Sequence, residues 1–320
     1  MSNETSFEKP ANLTQDQKPE LASKQAQASR SERRSELANR ARLLISCPDR
    51  PGIVAAVAQF LYRHQANIVQ SDQHSTNPET GLFFMRIEFD LVDIEQQLPR
   101  IRTEFAEIAN TFRMSWRIEQ ASIPKRIAIF ASKEDHCLLE LLWQWQAGDL
   151  FADIAMVVSN HNEAKDMVER LGIPFHYIPV DKTNKTQAEF EQQSLLAGKV
   201  DLVVLARYMQ ILSAQFVDLY PGKIINIHHS FLPAFIGRNP YTRAYERGVK
   251  LIGATAHYVT AELDQGPIIE QDVHRVDHKN EAEDLKRIGR HVERTVLARA
   301  VKWHLEDRIL IHENKTIVFA

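Results

Sequence analysis

Two short segments of the chain combine side chains that can move protons around a carbonyl group. Residues 225–233 contain Asn226 and His228, and residues 263–267 contain Asp264. An amide and an imidazole can donate hydrogen bonds to a developing oxyanion, and a carboxylate can orient and activate water. The two segments therefore predict a site for formyl or acyl chemistry that needs no metal.

The spacing of these side chains argues against a metal centre. Asn226 and His228 are two positions apart, so both point to one face of an extended strand, whereas His229 points to the other face. A metal-dependent amidohydrolase built on His228, His229, His257 and Asp264 is an alternative, but the HxH or HExxH spacing on one face is missing. We expect no metal and no cofactor.

The segment from residue 124 to residue 320 alternates apolar runs with amphipathic stretches. This alternation favours a Rossmann-like α/β domain, with a mostly parallel sheet that is covered on both faces. Ligands of such sheets bind at the carboxyl ends of the strands, where Asn226 and His228 fall. The predicted strands are 126–131, 153–159, 174–179, 201–206, 223–228, 250–260 and 267–276. The predicted helices are 135–147, 162–171, 184–197, 213–219 and 281–306, and a small hairpin is expected around Glu313-Asn314.

Residues 40–120 predict a smaller domain with the ferredoxin-like order βαββαβ. The predicted strands are 42–47, 68–74, 82–91 and 112–118, and the predicted helices are 53–62 and a second that begins near Asp93. A hairpin turn is expected over 77–81, where proline and glycine occur together.

Residues 47–54, Cys-Pro-Asp-Arg-Pro-Gly-Ile-Val, resemble the start of an ACT domain. The resemblance implies a regulatory module that binds a small amino acid at a dimer interface, and therefore a homo-oligomer. Asp49, Gly52 and Ile53 are the implied effector residues, with glycine, serine or methionine as candidate effectors. The alternative is a packing and oligomerisation module without a ligand, in which Gly52 only begins the helix.

The larger domain resembles the formyltransferase-hydrolase family, through residues 226–233, 253–259 and 263–269 taken in order. The resemblance implies a 10-formyltetrahydrofolate substrate, with Asn226, His228 and Asp264 as the catalytic residues. His257 is either a support for these residues or an ordinary satisfied polar side chain. The implied folate-binding residues are Arg207, Met209, Gln210, Ile211, Leu212 and Leu263.

The formyl acceptor is predicted from the loop over residues 130–137. Transferase members of the family cradle the acceptor's phosphate in a glycine-rich loop, but this loop has no glycine and adds Glu134 and Asp135. Water is therefore the expected acceptor. The chain also has His229 where the transferases have proline, and in this it resembles the hydrolytic members of the family. Arg238 departs from the family pattern.

The implied reaction is hydrolysis of 10-formyltetrahydrofolate to formate and tetrahydrofolate, which balances the one-carbon pool and supplies formate for purine biosynthesis. The alternatives are formyl transfer to another amine, such as a sugar nucleotide or methionyl-tRNA, and a non-catalytic amino-acid sensor. The formal net charge of −3 gives no electrostatic footprint for nucleic acid and disfavours the tRNA case.

The composition is that of a globular protein, with 44% hydrophobic and 25% charged residues. Only two cysteines occur, Cys47 and Cys137, without CxxC spacing, which fits a reducing compartment. Residues 1–38 are too polar to offset the cost of ordering and are predicted to be a disordered tail without a secretory signal. We expect no membrane span and a cytoplasmic protein.

Overall fold

The structure is a computed structural model, and it describes residues 30–77, 81–233 and 240–320. These residues form a four-stranded sheet, a seven-stranded sheet and a two-stranded hairpin. The predicted turn at 77–81 falls partly outside the described residues, and Arg238 lies outside them entirely. No helix in the described ranges is long and apolar enough to cross a membrane.

The four-stranded sheet is antiparallel in the order β2-β3-β1-β4 and confirms the predicted ferredoxin-like arrangement. Helix α1 begins after Gly52, whose φ of 95° lies in the left-handed region that glycine adopts at little cost. The elements are β1 (Arg40–Pro48), α1 (Ile53–Arg63), β2 (Asn67–Ser75), β3 (Leu82–Asp90), α2 (Ile94–Phe112) and β4 (Ser115–Gln120).

The seven-stranded sheet has the order β11-β10-β9-β8-β5-β6-β7. The five strands from β5 to β9 are parallel, and β10 runs antiparallel to both of its neighbours, so the prediction of a mostly parallel sheet is confirmed. The strands are β5 (Lys125–Ala131), β6 (Ala152–Ser159), β7 (Phe175–Tyr177), β8 (Leu202–Ala206), β9 (Ile224–His228), β10 (Leu251–Tyr258) and β11 (Ile268–Arg275).

Helices cover both faces of this sheet, because its central strands are apolar on both sides. In β5, Ile127 and Ile129 join one core, whereas Ala128 and Phe130 join the other. The helices are α3 (His136–Ala147), α4 (Lys165–Arg170), α5 (Lys185–Leu196), α6 (Ala214–Asp218), α7 (Pro240–Arg247) and α8 (Ala282–Leu305). Helix α7 was not predicted.

The ACT-like sheet is also buried on both faces. Alternate residues of β1, such as Leu43 and Ile45, pack against α1 and α2. On the other face, Leu44 of β1 and Phe84 of β3 are fully buried against the C-terminal hairpin, which consists of β12 (Ile309–His312) and β13 (Lys315–Val318). The two domains therefore share an apolar contact through this hairpin.

Buried ion pairs complete the junction between the domains. Arg86 is 0% exposed, and it donates to Glu88 Oε2 at 2.7 Å and to the Asp307 backbone carbonyl at 2.9 Å. Lys125 Nζ lies 2.7 Å from Asp307 Oδ1. Each charge has a partner, as burial of a charged side chain requires.

The predicted disordered tail differs from the structure at its C-terminal end. Residues 1–29 lie outside the described residues, whereas residues 30–36 are helical. Leu37 is 4% exposed, and the Arg30 guanidinium lies 4.0 Å from the centre of a ring of Trp145. These contacts with the larger domain offset the cost of ordering residues 30–38, so the tail prediction is wrong for that stretch.

Candidate active site

Two of the predicted catalytic side chains, Asn226 and His228, lie at the carboxyl end of strand β9. Strand β10 pairs with β9 so that His257 lies opposite Asn226. Asn226 Nδ2 is 3.2 Å from His257 Nε2, and His257 Nδ1 is 3.0 Å from the Tyr258 backbone oxygen. His257 thus faces the Asn226 amide with Nε2 and a backbone carbonyl with Nδ1. His257 therefore fixes the direction in which Asn226 points.

Asp264 enters the site from the loop between β10 and β11. Its φ of 56° is left-handed, which turns the loop back over the strand ends. Gly266 makes this turn possible, since a Cβ there would lie 1.8 Å from the Tyr258 backbone oxygen. Asp264 Oδ2 comes within 3.2 Å of His228 Nδ1, so the loop brings the carboxylate to the histidine.

The two histidines set the charge of Asp264. Partial burial raises the pKa of this carboxyl, but hydrogen bonds from His228 and His257 outweigh it and hold the pKa well below its usual range. Oδ1 faces His257 Nε2 at 3.6 Å while Oδ2 faces His228. Asp264 is therefore an anion at neutral pH, placed between two imidazoles.

The second nitrogen of His228 is available for chemistry. His228 is 7% exposed, and its Nε2 has no hydrogen-bond partner among the described residues. A buried polar atom without a partner costs about 1–3 kcal/mol, so such atoms are rare outside functional sites. Nε2 is the atom that a bound substrate oxygen can satisfy.

His229 supports His228 from behind, which the sequence did not predict. The two rings are stacked, with centroids 5.2 Å apart and planes inclined by 14°. Arg207 Nη1 lies 2.5 Å from His229 Nδ1, so the guanidinium donates to a neutral ring. Burial, together with the Arg207 charge, lowers the pKa of His229 to about 4. His229 is therefore uncharged at neutral pH.

Glu293 of α8 holds Arg207 in this position. Glu293 is 0% exposed, and its carboxylate contacts His136 Nε2 at 2.8 Å, Tyr241 Oη at 2.5 Å and Arg207 Nε at 3.3 Å. Gly289, one helical turn earlier, leaves the space for the tyrosine, since a Cβ there would lie 2.1 Å from its hydroxyl. The Arg207 guanidinium, predicted to be near the folate, thus lies in a buried ion-pair network.

Three of the other predicted folate residues are apolar and exposed. Met209, Ile211 and Leu263 are 56%, 59% and 57% exposed, which is unusual for side chains of this size. Gln210 and Leu212 are partly buried. The exposed side chains offer an apolar surface of the kind that receives a flat ring.

A cavity of about 430 Å³ opens beside Asp264. Leu232 and Pro233 line one side of it, and Asn314 and Thr316 of the C-terminal hairpin line another. The site is therefore bounded by the larger domain and by the segment that packs against the ACT-like sheet.

One cluster among the described residues has donor atoms close enough to share a metal ion: His136, Cys137 and Glu293. Arg207 and Tyr241 already occupy the Glu293 carboxylate. Burial raises the pKa of the Cys137 thiol well above its usual range, so the thiolate that a metal needs is disfavoured. This cluster is better suited to an ion pair than to a metal.

The predicted effector residues lie together at the start of α1. Asp49 accepts a hydrogen bond from the Ser75 hydroxyl, and Gly52 precedes the helix. Ile53 is 2% exposed and belongs to the core of the small domain. Its side chain is therefore turned away from solvent, whereas the turn itself is exposed.

Comparison with known proteins agrees with both domains. The ACT domain family matches residues 41–109, and the family described as formyl transferase matches residues 125–301. The fold and the Asn226, His228 and Asp264 site thus define a formyl-group enzyme of the formyltransferase fold with an added ACT domain.

Relatives that match over nearly their full length show which family of formyl-group enzymes this is. The formyltetrahydrofolate deformylase of Bacillus subtilis (strain 168) is 61% identical over 282 residues, which are 88% of this chain and 94% of the relative. That of Synechocystis sp. (strain ATCC 27184 / PCC 6803 / Kazusa) is 51% identical and covers 88% of this chain and 98% of its own. The chain belongs to the formyltetrahydrofolate deformylase family.

Solved structures separate the hydrolytic relatives from the transferases. The crystal structure of a formyltetrahydrofolate deformylase from Pseudomonas syringae pv. tomato str. DC3000 is 50% identical with a TM-score of 0.83, covering 88% of this chain and 94% of that one. Glycinamide ribonucleotide transformylase 1 from Symbiobacterium toebii is 29% identical with a TM-score of 0.58, covering 63% of this chain and 97% of that one. The similarity to the transferase thus spans a much smaller part of the chain.

Proposed function

We propose that this protein hydrolyses the formamide of 10-formyltetrahydrofolate to formate and tetrahydrofolate. The observation that carries the proposal is the convergence of Asn226, His228 and Asp264 at the carboxyl end of β9. The unpartnered His228 Nε2 lies within this group. Membership of the formyltetrahydrofolate deformylase family supports the substrate.

The loop after β5 supports water as the acceptor. Ser132 Oγ donates to Asn160 Oδ1 at 2.6 Å and accepts from the Met209 amide at 3.1 Å, so its hydroxyl is committed to holding the loop. Glu134 lies 3.8 Å from Lys286 Nζ and presents a carboxylate. The phosphate of an acceptor is bound by a nest of backbone N–H groups. A loop with two acidic side chains repels phosphate and is therefore unsuited to bind it.

The donors of the site stabilise charge as water adds to the formyl carbon. The carbonyl oxygen becomes an oxyanion, which His228 Nε2–H and the second Asn226 amide hydrogen can bind. Asp264 Oδ2 lies beside Nδ1 and holds the His228 ring so that Nε2 faces the oxyanion. The water oxygen forms the new bond, and the bond between carbon and N10 then breaks to release formate.

Asp264 handles the proton that the attacking water loses. Because its pKa is held low, Asp264 does not keep a proton but relays it to the leaving N10 nitrogen. The same low pKa keeps the carboxylate ionised, which fixes the His228 ring. The reaction then needs proton transfers only, and we propose that it uses neither a metal nor a cofactor.

Variants of the three residues test this function. Formate release from 10-formyltetrahydrofolate is measured without an amine acceptor, for the native protein and for Asn226→Ala, His228→Ala and Asp264→Asn. Native turnover that each substitution abolishes supports the proposal. Native turnover that appears only with an added amine would identify a transferase instead.

We further propose a homo-oligomer formed through the small domain. Among the described strands, β2 lies at one edge of the four-stranded sheet, beside β3. Ile68 and Val69 on it are 38% and 45% exposed, and Tyr62 of α1 is 80% exposed. An exposed apolar edge is prone to pair with another chain. Light scattering measures the molar mass of the native protein and of Val69→Lys in solution. The variant is expected to have the smaller molar mass, because the lysine disfavours pairing of the two edges.

The ACT domain supports a small amino acid as effector, bound at the turn that contains Asp49 and Gly52. Glycine, serine and methionine added to the formate assay test this directly, with Asp49→Ala as the variant that should lose the response. Two buried free cysteines, Cys47 and Cys137, fit our proposal of a cytoplasmic enzyme. There it would balance the one-carbon pool and supply formate for purine biosynthesis.

A further inference from the structure

The C-terminal hairpin touches the loop that carries Asp264. Asn314 Nδ2 donates to the Gln265 backbone oxygen at 2.9 Å, and Thr316 Oγ1 donates to the Ile268 backbone oxygen at 2.6 Å. The two carbonyls lie on either side of Gly266. The hairpin therefore holds the loop one residue after Asp264 and again where β11 begins.

Within the described loop the hydrogen bonds are long: the Thr260 hydroxyl donates to the Glu262 oxygen at 3.2 Å. Asp264 has a φ of 56°, a conformation that residues with a Cβ rarely adopt unless the surroundings impose it. Within the turn, the Gln265 amide reaches the Glu262 oxygen only at 3.4 Å. On the sheet side, the Tyr258 amide donates to the Pro267 oxygen at 2.9 Å. On the side of the loop that faces the hairpin, the short hydrogen bond nearest to Asp264 is therefore the one from Asn314 to the Gln265 oxygen.

The opposite side of the hairpin is fixed to the ACT sheet. Leu310 and Phe319 are 8% and 7% exposed and pack with Leu44 and Phe84 of that sheet. The ring of His312 lies 5.5 Å from the ring of Phe84. One short hairpin thus has its apolar side on the small domain and its polar tip on the catalytic loop.

We propose that Asn314 and Thr316 are positioning residues for Asp264, and that the hairpin makes the placement of Asp264 depend on the ACT sheet. The inference rests on the proposed role of Asp264 in hydrolysis. Neither side chain takes part in the chemistry; each holds a backbone carbonyl of the loop. The loop geometry then brings the carboxylate to His228.

The threonine allows a matched set of variants. Thr316→Val removes the hydroxyl and keeps the shape, Thr316→Ser keeps the hydroxyl, and Thr295→Val is the control. The control removes a hydroxyl that bonds the His291 carbonyl on an exposed part of α8. We expect Thr316→Val and Asn314→Ala each to lower kcat about tenfold, as the net loss of one hydrogen bond suggests. Thr316→Ser and Thr295→Val should retain native kcat.

A pH profile separates positioning from general damage. When Asp264 moves away from His228 and His257, the hydrogen bonds that lower its pKa weaken, so the acid limb of the kcat profile moves to higher pH. This shift is expected in Thr316→Val and not in Thr295→Val. Native kcat and an unmoved acid limb in the double variant Asn314→Ala, Thr316→Val would overturn the proposal.

The link to the ACT sheet has its own test. Leu310→Val loosens the apolar contact, and a double-mutant cycle with Thr316→Val measures whether the two effects on kcat are coupled. Effects that multiply independently would overturn the dependence on the small domain. A loss of kcat in the double variant that is smaller than the product of the two single losses supports this dependence, because the second change then acts on a hairpin that is already released.

Hydrogen exchange keeps the inference distinguishable from the proposed function. Faster amide exchange over residues 262–268 in Thr316→Val, but not in Thr295→Val, supports loop positioning even if the native protein releases no formate. Unchanged exchange in an active native enzyme overturns the positioning role and leaves the hydrolysis intact.

Discussion

His228 Nδ1 lies 3.2 Å from Asp264 Oδ2, and this contact joins the end of β9 to the loop after β10. It leaves Nε2 of the same ring without a partner among the described residues. One nitrogen is thus fixed by the protein and the other is left for the substrate.

Replacing the carboxylate should stop hydrolysis without unfolding the protein. Asp264→Asn removes the carboxylate that contacts His228 Nδ1 and relays the proton, so kcat is expected to fall by about 10²–10⁴-fold. Asparagine has the same shape and can still accept from His228 Nδ1, so the variant should fold, with a thermal unfolding temperature lowered by the loss of the ion pair. Steady-state formate release and calorimetry measure the two quantities, and near-native kcat would rule out the relay.

Removing one oxyanion donor should act on kcat. Asn226→Ala is expected to lower kcat by about 10²–10³-fold with little change in KM, since the amide binds the charge that develops in the transition state. Asn110→Ala on the exposed end of α2 is the matched control and should behave as native. A change confined to KM would assign Asn226 to ground-state binding.

Arg207 should control the charge of His229. Burial and the Arg207 charge hold the pKa of His229 at about 4, so Arg207→Met is expected to raise it toward its ordinary value of about 6.5. Histidine ring signals in NMR titrations measure the pKa, and Arg207→Lys should keep it low. Arg126→Met, which breaks an exposed pair with Asp201, is the control. An unchanged His229 titration in Arg207→Met would contradict the pairing.

The stability of the protein should fall in mild acid. Burial and the Lys125 charge lower the pKa of His304 to about 3, and its Nδ1 lies 2.7 Å from the Tyr258 hydroxyl. The unfolded state binds this proton below about pH 6.5 and the native state does not. The stabilising contribution is therefore complete above that pH and is lost as the pH falls toward 3.

Urea unfolding at stepped pH measures this effect. The free energy of unfolding should fall by about 1.4 kcal/mol per pH unit for the proton on His304. His304→Gln keeps an acceptor for the Tyr258 hydroxyl and should be less stable at neutral pH. Its free energy of unfolding should depend less steeply on pH, with a slope that is lower by about 1.4 kcal/mol per pH unit. Parallel curves for the two proteins would show that His304 does not titrate as the structure indicates.

The strands and helices along the chain, and the position of Asn226 and His228 at the end of one strand, were predictable because each depends on local pattern. Alternating apolar runs define the strands, and Asn226 and His228 are two apart on one of them. Helix α7 was missed because its sequence, PYTRAYER, has few apolar residues to reveal a helical period.

The supporting contacts of the site could not be predicted, because they join segments that are distant in the sequence. Glu293 reaches Arg207 from the last long helix, and nothing in the local sequence of either residue indicates the pair. Arg86 is fully buried in the small domain because its partner, the Asp307 carbonyl, comes from the larger one. His257 is the exception, since the pairing of two predicted strands would have placed it opposite Asn226.

Formate release from 10-formyltetrahydrofolate in the presence of EDTA, with no amine acceptor, tests the central claim most directly. Stoichiometric formate and tetrahydrofolate at the same rate with and without the chelator is the predicted result. Release that stops in EDTA, or that requires an added amine, would contradict a metal-free transfer of the formyl group to water.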